Sequence, residues 1–460
     1  MARHLPVIDE PSSSLHNDGR RNHVHPADVS GKYTRIRTIV FGLLIAVYLI
    51  TPFIHVGGKP IIFLDVMNRR FHLFGASFNS NDFWLVFFLV TGVGFLLIVI
   101  TSLFGRVWCG YACPQTVFME GVYRRVERLV EGNRNERIRR NAGPWNFDRI
   151  WRKLTKTAIF FVISFGLTHI FLSYFVSIPS LVDMMTSPPA EHPAAFSWIM
   201  GFTGITFFNF AWFREQVCVI VCPYGRLQSA MTDRNTFNVT YDFHRGEPRG
   251  KPSNKNAGDC VDCYRCVYVC PTGIDIRNGL QLDCIGCSAC IDACDDVMER
   301  LGREPGLIRY DSPNGLEGRP AKLMRPRVYA YMAFGVLGLI IAAFAFNSRV
   351  PFEAHILRTA GAVFVATEQE VQNPVRFHLV NKRDHEITVK VENRSDPELK
   401  VPQHLEEITL GAFEARYVPA LLSVDRAEMR SGIRARFVLS LDTDQILLEI
   451  PILGPIGQRE

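Results

Sequence analysis

The sequence predicts an α-helical membrane protein with five transmembrane helices, a cytoplasmic two-cluster ferredoxin-like domain and a C-terminal immunoglobulin-like β-sandwich. Three observations predict it. Five stretches free of Asp, Glu, Lys and Arg are each long enough to cross a hydrocarbon core, which takes about 20 apolar residues as helix. Eight cysteines fall in two CxxCxxCxxxC runs, the spacing by which a short loop wraps three thiolates around one four-iron cluster and lends the fourth to its neighbour. After the last apolar stretch come short runs of period-two alternation separated by Asn, Asp, Gly and Pro, the pattern of half-buried strands.

In chain order, residues 1–37 are polar, carry His4, His16, His23 and His25, and hold no apolar run that would act as a cleavable signal. They read as a flexible, solvated cytoplasmic tail. Residues 38–240 hold four spans, Thr38 to Val56, Phe83 to Phe104, Thr157 to Ile178 and Ala194 to Phe213, and the fifth span runs from Val328 to Asn347. Gly105 to Lys156 carries 12 Lys or Arg against 5 acids, whereas Gly57 to Asp82 carries 3 and Pro179 to Pro193 none. Short cytoplasmic loops retain Lys and Arg, so the basic loop lies inside. The amino terminus and residues 241–327 are then cytoplasmic, and residues 348–460 lie outside. The net charge of +6 follows from this asymmetry and gives no reason to infer nucleic acid. Within the basic loop, Pro114 to Glu131 sets Val117, Phe118, Val122, Val126, Leu129 and Val130 against Arg124, Arg125 and Arg128. A basic amphipathic helix of this kind lies on the anionic lipids of the inner leaflet.

Tyr241 to Gly258 and Gly302 to Arg327, rich in Gly, Pro and charge, read as linkers on either side of the ferredoxin module. The crossed ligation of such modules assigns Cys260, Cys263, Cys266 and Cys294 to one cluster and Cys284, Cys287, Cys290 and Cys270 to the other. All 12 cysteines lie between Cys109 and Cys294, on the reducing inner side, and the outer tail has none; thiols kept reduced and used for metals explain that better than disulfides do. In the tail, strands are expected at Val375 to Val380, Ile387 to Val391, Ile408 to Leu410, Ala415 to Val418, Ile433 to Leu439 and Ile446 to Ile450. Six or seven short strands suggest a sandwich of immunoglobulin type, with binding or docking as its role.

Four cysteines remain. FGRVWCGYACP and FREQVCVIVCP each place CxxxCP five residues after a Phe, giving Cys109 and Cys113 before Pro114, and Cys218 and Cys222 before Pro223. Spans two and four descend in the same direction, so both motifs emerge at one depth on the cytoplasmic side. Proline favours the first helical position, which makes Cys113 and Cys222 helix caps with an expected low thiol pKa. Thiolates select soft ions, Cu(I) above all. The four are therefore candidate copper and catalytic residues, with a third iron–sulfur cluster or two separate ion sites as the alternatives. His169 inside span three is a further candidate, for a quinol, a metal or a hydrogen bond to a neighbouring helix, and Met184, Met185 and His192 are soft donors in an outer loop.

The stretch CVDCYRCVYVCPTGIDIRNGLQLDCIGCSACIDACDDVMERLG, with two CxxxCP motifs after apolar spans and a terminal sandwich, resembles the cytochrome c oxidase accessory protein family, known as CcoG, FixG or RdxA. The resemblance implies a multi-pass protein of the bacterial inner membrane with its sandwich in the periplasm. It also implies reduction of Cu(II) to Cu(I) for a cbb3-type oxidase, with copper as substrate handled by Cys109, Cys113, Cys218 and Cys222 beside two 4Fe-4S clusters. Oxidase assembly factors and a copper transporter or chaperone are the implied partners. Two other functions compete with cupric reductase: a quinol-oxidising conduit to a periplasmic reductase, and a copper chaperone that turns over no electrons. No glycine fingerprint follows a strand, so no nucleotide site is legible and the electron donor is a separate molecule.

Overall fold

The computed structural model describes residues 23–79, 84–347 and 352–455, apart from single positions at 255, 362, 384, 398, 431 and 443. His4 and His16 of the amino-terminal tail, and the first residue of the second expected span, lie outside the described residues. The chain forms two compact units, Met1–Phe63 with Phe88–Ile340, and Leu64–Phe87 with Ile341–Glu460.

Among the described residues five helices are long and apolar enough to cross a membrane: Lys32–Phe53, Leu85–Phe104, Phe147–Leu172, Pro193–Phe213 and Pro326–Phe344. The first begins six residues earlier than the apolar pattern predicts. A helix start leaves backbone N–H groups without partners, and here Asp292 of the ferredoxin module supplies them, accepting from Tyr33 N at 3.1 Å, Thr34 N at 2.7 Å and the Thr34 hydroxyl at 2.7 Å. The third begins ten residues early, capped by Asn146, whose side chain accepts from Arg149 N.

Residues 23–31, expected as a flexible tail, instead lie along the ferredoxin module. Ala27 N donates to Tyr268 O at 2.7 Å and Arg137 donates to Pro26 O at 3.0 Å. The two expected linkers are also structured. Asn238–Tyr241 and Ile308–Asp311 pair as antiparallel strands and close the module on itself. Val239, Tyr241, Ile274, Ile276, Ile291, Met298 and Leu307 form its core around the cysteines.

The amphipathic segment is helical over Pro114–Phe118 and Arg124–Glu131 with a wider π turn between, but its apolar residues Val117, Phe118, Val122 and Val126 pack against the protein interior and not against lipid. Arg124, Glu127 and Glu131 are buried, while Leu129 is 82% exposed. Ion pairs with Arg214, Arg137 and Lys156 hold the two carboxylates beside that packed stripe.

In the second unit two four-stranded antiparallel sheets form the sandwich: Ala415–Asp425, Glu370–Asn381, Phe352–Arg358 and the short Val365–Ala366 in one, and Glu407–Leu410, Ile387–Asn393, Arg434–Leu441 and Asp444–Pro451 in the other. Phe352, Phe377, Leu379, Phe437 and Leu439 fill the space between them. Phe352–Arg358 lies in a segment where no strand was expected. The same unit takes in part of the loop between the first two apolar helices, a meander of Ile62–Asp65, Arg70–Leu73 and Ala76–Asn79, with the Arg70 guanidinium 4.8 Å from the Phe413 ring.

Candidate iron–sulfur and thiol sites

Each cysteine run wraps a small apolar cavity. Cys260, Cys263, Cys266 and Cys294 line one, with Tyr241, Met298 and Leu307. Cys270, Cys284, Cys287 and Cys290 line the other, with Ile274, Ile276 and Ile285; Cys266 lies on the wall between them. The last cysteine of each run thus faces the cavity of the other. The backbone achieves this with a repeated left-handed step: Asp262 and Tyr264 in the first run match Gly286 and Ser288 in the second, all at φ between 55° and 63° except Gly286 at 65°. Among the described residues no three His, Cys, Asp or Glu side chains converge as a single ion would require. Four thiols around one small apolar cavity are the donor set that a four-iron cluster takes. Burial pushes the Cys284 and Cys294 thiols up to about 12 and Cys287 to about 11, so ligation must displace their protons.

The CxxxCP repeat is a repeat of structure as well as of sequence. After Phe104 and Phe213 the chain turns through a left-handed residue, Gly105 at φ 55° and Arg214 at φ 53°. Cys113 N then donates to Trp108 O at 2.9 Å, and Cys222 N to Val217 O at 2.8 Å, the same five-residue span in each. Pro114 and Pro223 start helices directly afterwards. The structure brings the four thiols within electrostatic range of one another, short of the convergence a single ion requires: Cys218 feels the charges of Cys113, Cys109 and Cys222, and Cys113 that of Cys222. Gln228, fully buried, donates to Cys109 Sγ at 3.4 Å.

This thiol group abuts the second cavity. Cys109 packs into the same apolar cluster as Cys287 and Cys290. The helix Val107–Tyr111 meets the ligand loop backbone to backbone: a Cβ at Gly110 would lie 2.7 Å from Gly286 O and 2.9 Å from Cys287 Cα. Arg106 clamps the junction, donating to Leu282 O, to Cys284 O at 3.1 Å and to Gly225 O at 2.6 Å. One guanidinium therefore ties both CxxxCP segments to the loop that carries Cys284.

Comparison with known proteins agrees with this layout. Residues 213–313 match a family model described as a 4Fe-4S dicluster domain, residues 83–133 one described as a 4Fe-4S binding domain, and residues 342–449 one described as an IG-like fold at the C-terminal of FixG. The chain is 38% identical to Protein RdxA of Cereibacter sphaeroides over 78% of its own length and 80% of that protein's, and 37% identical to Protein RdxB of the same organism over 84% and 85%. It is 42% identical to the Nitrogen fixation protein FixG of Rhizobium meliloti over 63% of this chain, an alignment spanning 57% of FixG's length. The chain belongs to the FixG/RdxA family. As a member it is a bacterial membrane protein of iron–sulfur electron transfer, and the terminal sandwich is the family's Ig-like domain.

One expectation about a side chain fails in this family member. Cys113 does sit at a helix start, where Gln115 and Thr116 N–H groups reach its thiol, but burial outweighs them and its pKa is raised; burial likewise pushes Cys109 to about 11 and Cys218 to about 12. His169 bonds to its own helix, through Nδ1 to Phe165 O at 2.8 Å, and its Nε2 is buried without a partner among the described residues. Sequence reasoning missed Arg106, Gly110, Gly286 and Gln228. The first three sit inside or beside cysteine motifs, but only the docking of one motif on the other gives them a task. A buried charge network was also unforeseen: Glu127 pairs with Arg214 at 2.7 Å, Arg137 at 3.4 Å and Lys156 at 3.5 Å.

Proposed function

We propose that this protein is a cupric reductase serving copper-centre assembly of a cbb3-type oxidase. In this reading Cys260, Cys263, Cys266 and Cys294 hold one four-iron cluster, and Cys270, Cys284, Cys287 and Cys290 the other. Copper as substrate binds at Cys109, Cys113, Cys218 and Cys222. The ferredoxin module faces the cytoplasm and the sandwich the periplasm, where oxidase assembly factors and copper transporters or chaperones are its partners. The observation that carries the reading is the direct contact of the Cys109 helix with the loop of Cys284 and Cys287. When bound at these cysteines the clusters would supply single electrons, and conversion of the substrate Cu(II) to Cu(I) needs one. The thiols favour the reduced ion because soft ligands select Cu(I). Arg106 holds the two sites in register, Gln228 orients Cys109, and the apolar packing of Cys109 excludes water from the gap. The orientation draws support from the basic loop and from the meander between the first two apolar helices, which folds in one unit with the sandwich as a shared side requires.

The test is to add Cu(II) and a Cu(I) indicator dye to purified, cluster-reduced protein. Wild type should generate Cu(I), and the variant with Cys109→Ser and Cys113→Ser should not, with its ferredoxin clusters intact. Full Cu(I) production by that variant refutes the shared thiol site. A second reading, a third cluster on the four CxxxCP thiols, is favoured by the 4Fe-4S model that covers Cys109 and Cys113 and by the lack of a single-ion constellation among the described residues. More than eight irons per chain would select it.

A further inference from the structure

Between the start of the first apolar helix, the helix Arg124–Glu131 and the loop around Cys270 lies a cavity open to solvent. Five arginines line it, Arg37, Arg124, Arg125, Arg128 and Arg137, against two acids, Asp28 and Glu120. The acids leave a positive excess. Glu120 is shared by Arg37 and Arg124, Arg124 also reaches Glu215 at 3.4 Å and Pro271 O at 2.9 Å, and Asp28 is taken by Arg128. Arg125 donates to the neutral Thr38 hydroxyl at 3.3 Å. Glu127, the partner of Arg137, is shared with Arg214 and Lys156. Arg37, Arg124 and Arg137 are each more than nine-tenths buried, and their Nε–H groups have no partner among the described residues. A concave wall of guanidinium donors in excess of carboxylates recognises phosphate, whose oxygens match the planar fork.

The opposite wall is formed by Val269, Pro271 and Ala289. These residues flank Cys270 and Cys290, so an occupant is separated from the second cysteine cavity by the ligand loop alone. We propose that this cavity binds a phosphate-bearing ligand, and that its place against the Cys270 loop makes that ligand a redox-active nucleotide through which electrons enter the module. Reduced flavin mononucleotide has the required chemistry. In becoming oxidised flavin it gives up two electrons, one to each of two four-iron clusters, and two protons, which pass to solvent. The inference rests on the cluster assignment and not on copper, since it concerns where electrons enter. A phospholipid headgroup presents the same phosphate and is the other source to distinguish.

The full-length protein in detergent, clusters intact, is titrated with flavin mononucleotide by fluorescence quenching, with riboflavin as the phosphate-free control and inorganic phosphate as competitor. Phosphatidylglycerol binding is followed in parallel by native mass spectrometry. The variant R125Q/R128Q removes two charges at exposed positions, and its iron content reports that the module is intact. Flavin mononucleotide should bind, riboflavin should bind far more weakly, phosphate should compete, and the variant should lose about tenfold or more in affinity, the equivalent of one charge-assisted hydrogen bond. Arginine-dependent binding of phosphatidylglycerol without flavin mononucleotide would uphold the phosphate site and overturn the nucleotide. Equal binding by variant and wild type, or binding of neither ligand, overturns the site.

Discussion

Replacing Glu127 by Gln should cost this protein roughly 3 kcal/mol of stability, and the structure supplies the magnitude by two routes. Glu127 is 4% exposed and accepts from three cations, Arg214 at 2.7 Å, Arg137 at 3.4 Å and Lys156 at 3.5 Å. Removing one partner of a buried ion pair strands the other charge, at a cost of about 3–5 kcal/mol. Burial alone would raise the carboxyl's pKa, but the Arg214 guanidinium and the other cations outweigh it and hold the group at about 2 against an ordinary 4.5, a difference worth roughly 3 kcal/mol. The sign follows from the depression: the stabilisation is present above pH 4.5 and fades as pH falls towards 2. Chemical unfolding in mixed micelles at pH 7 should show the loss, and the gap between wild type and variant should close below pH 4.5. Because Arg214 forms the left-handed turn four residues before Cys218, Cu(I) binding should weaken as well. A loss under about 1 kcal/mol, or a gap independent of pH, would refute the reasoning, since exposed pairs contribute no more than that.

The remaining predictions bear on the electron path and on orientation. Cys270→Ser should remove roughly half of the iron, that held by Cys284, Cys287 and Cys290, because a hydroxyl replaces a thiolate poorly on iron; unchanged iron and unchanged paramagnetic signals would argue against crossed ligation. Gly110→Val should leave the iron content alone yet slow copper-driven oxidation of the clusters severalfold, because a side chain 2.7 Å from Gly286 O must part the two backbones by roughly 1 Å and electron transfer weakens exponentially with distance. Wild-type oxidation rates in that variant would remove the junction from the path. Reporter fusions after Arg140 and near Gly279 should read as cytoplasmic and those near Pro189 and Gly411 as periplasmic, and a cytoplasmic reading at Gly411 would end the five-span topology.

By itself the sequence determined what repeats and what excludes water. The apolar stretches, the doubled cysteine spacing and the alternating tail are local patterns, and each is fixed by a need that local chemistry states: satisfied backbone groups in an apolar surrounding, thiolates wrapped around a cluster, one buried face per strand. The likeness of FGRVWCGYACP to FREQVCVIVCP was legible for the same reason. Tertiary structure decided what lies against what. Asp292 starts a helix 258 residues away in the chain, a strand inside the second segment read as a linker pairs with one that ends where the first segment begins, and the amphipathic helix turns Glu127 and Glu131 inward because Arg214 and Lys156 are there to meet them. The thiol pKa of Cys113 turned on the same distinction. Its helix-start position can be read from Pro114, but desolvation is set by whatever packs around the sulfur, and that packing belongs to the fold and not to the motif.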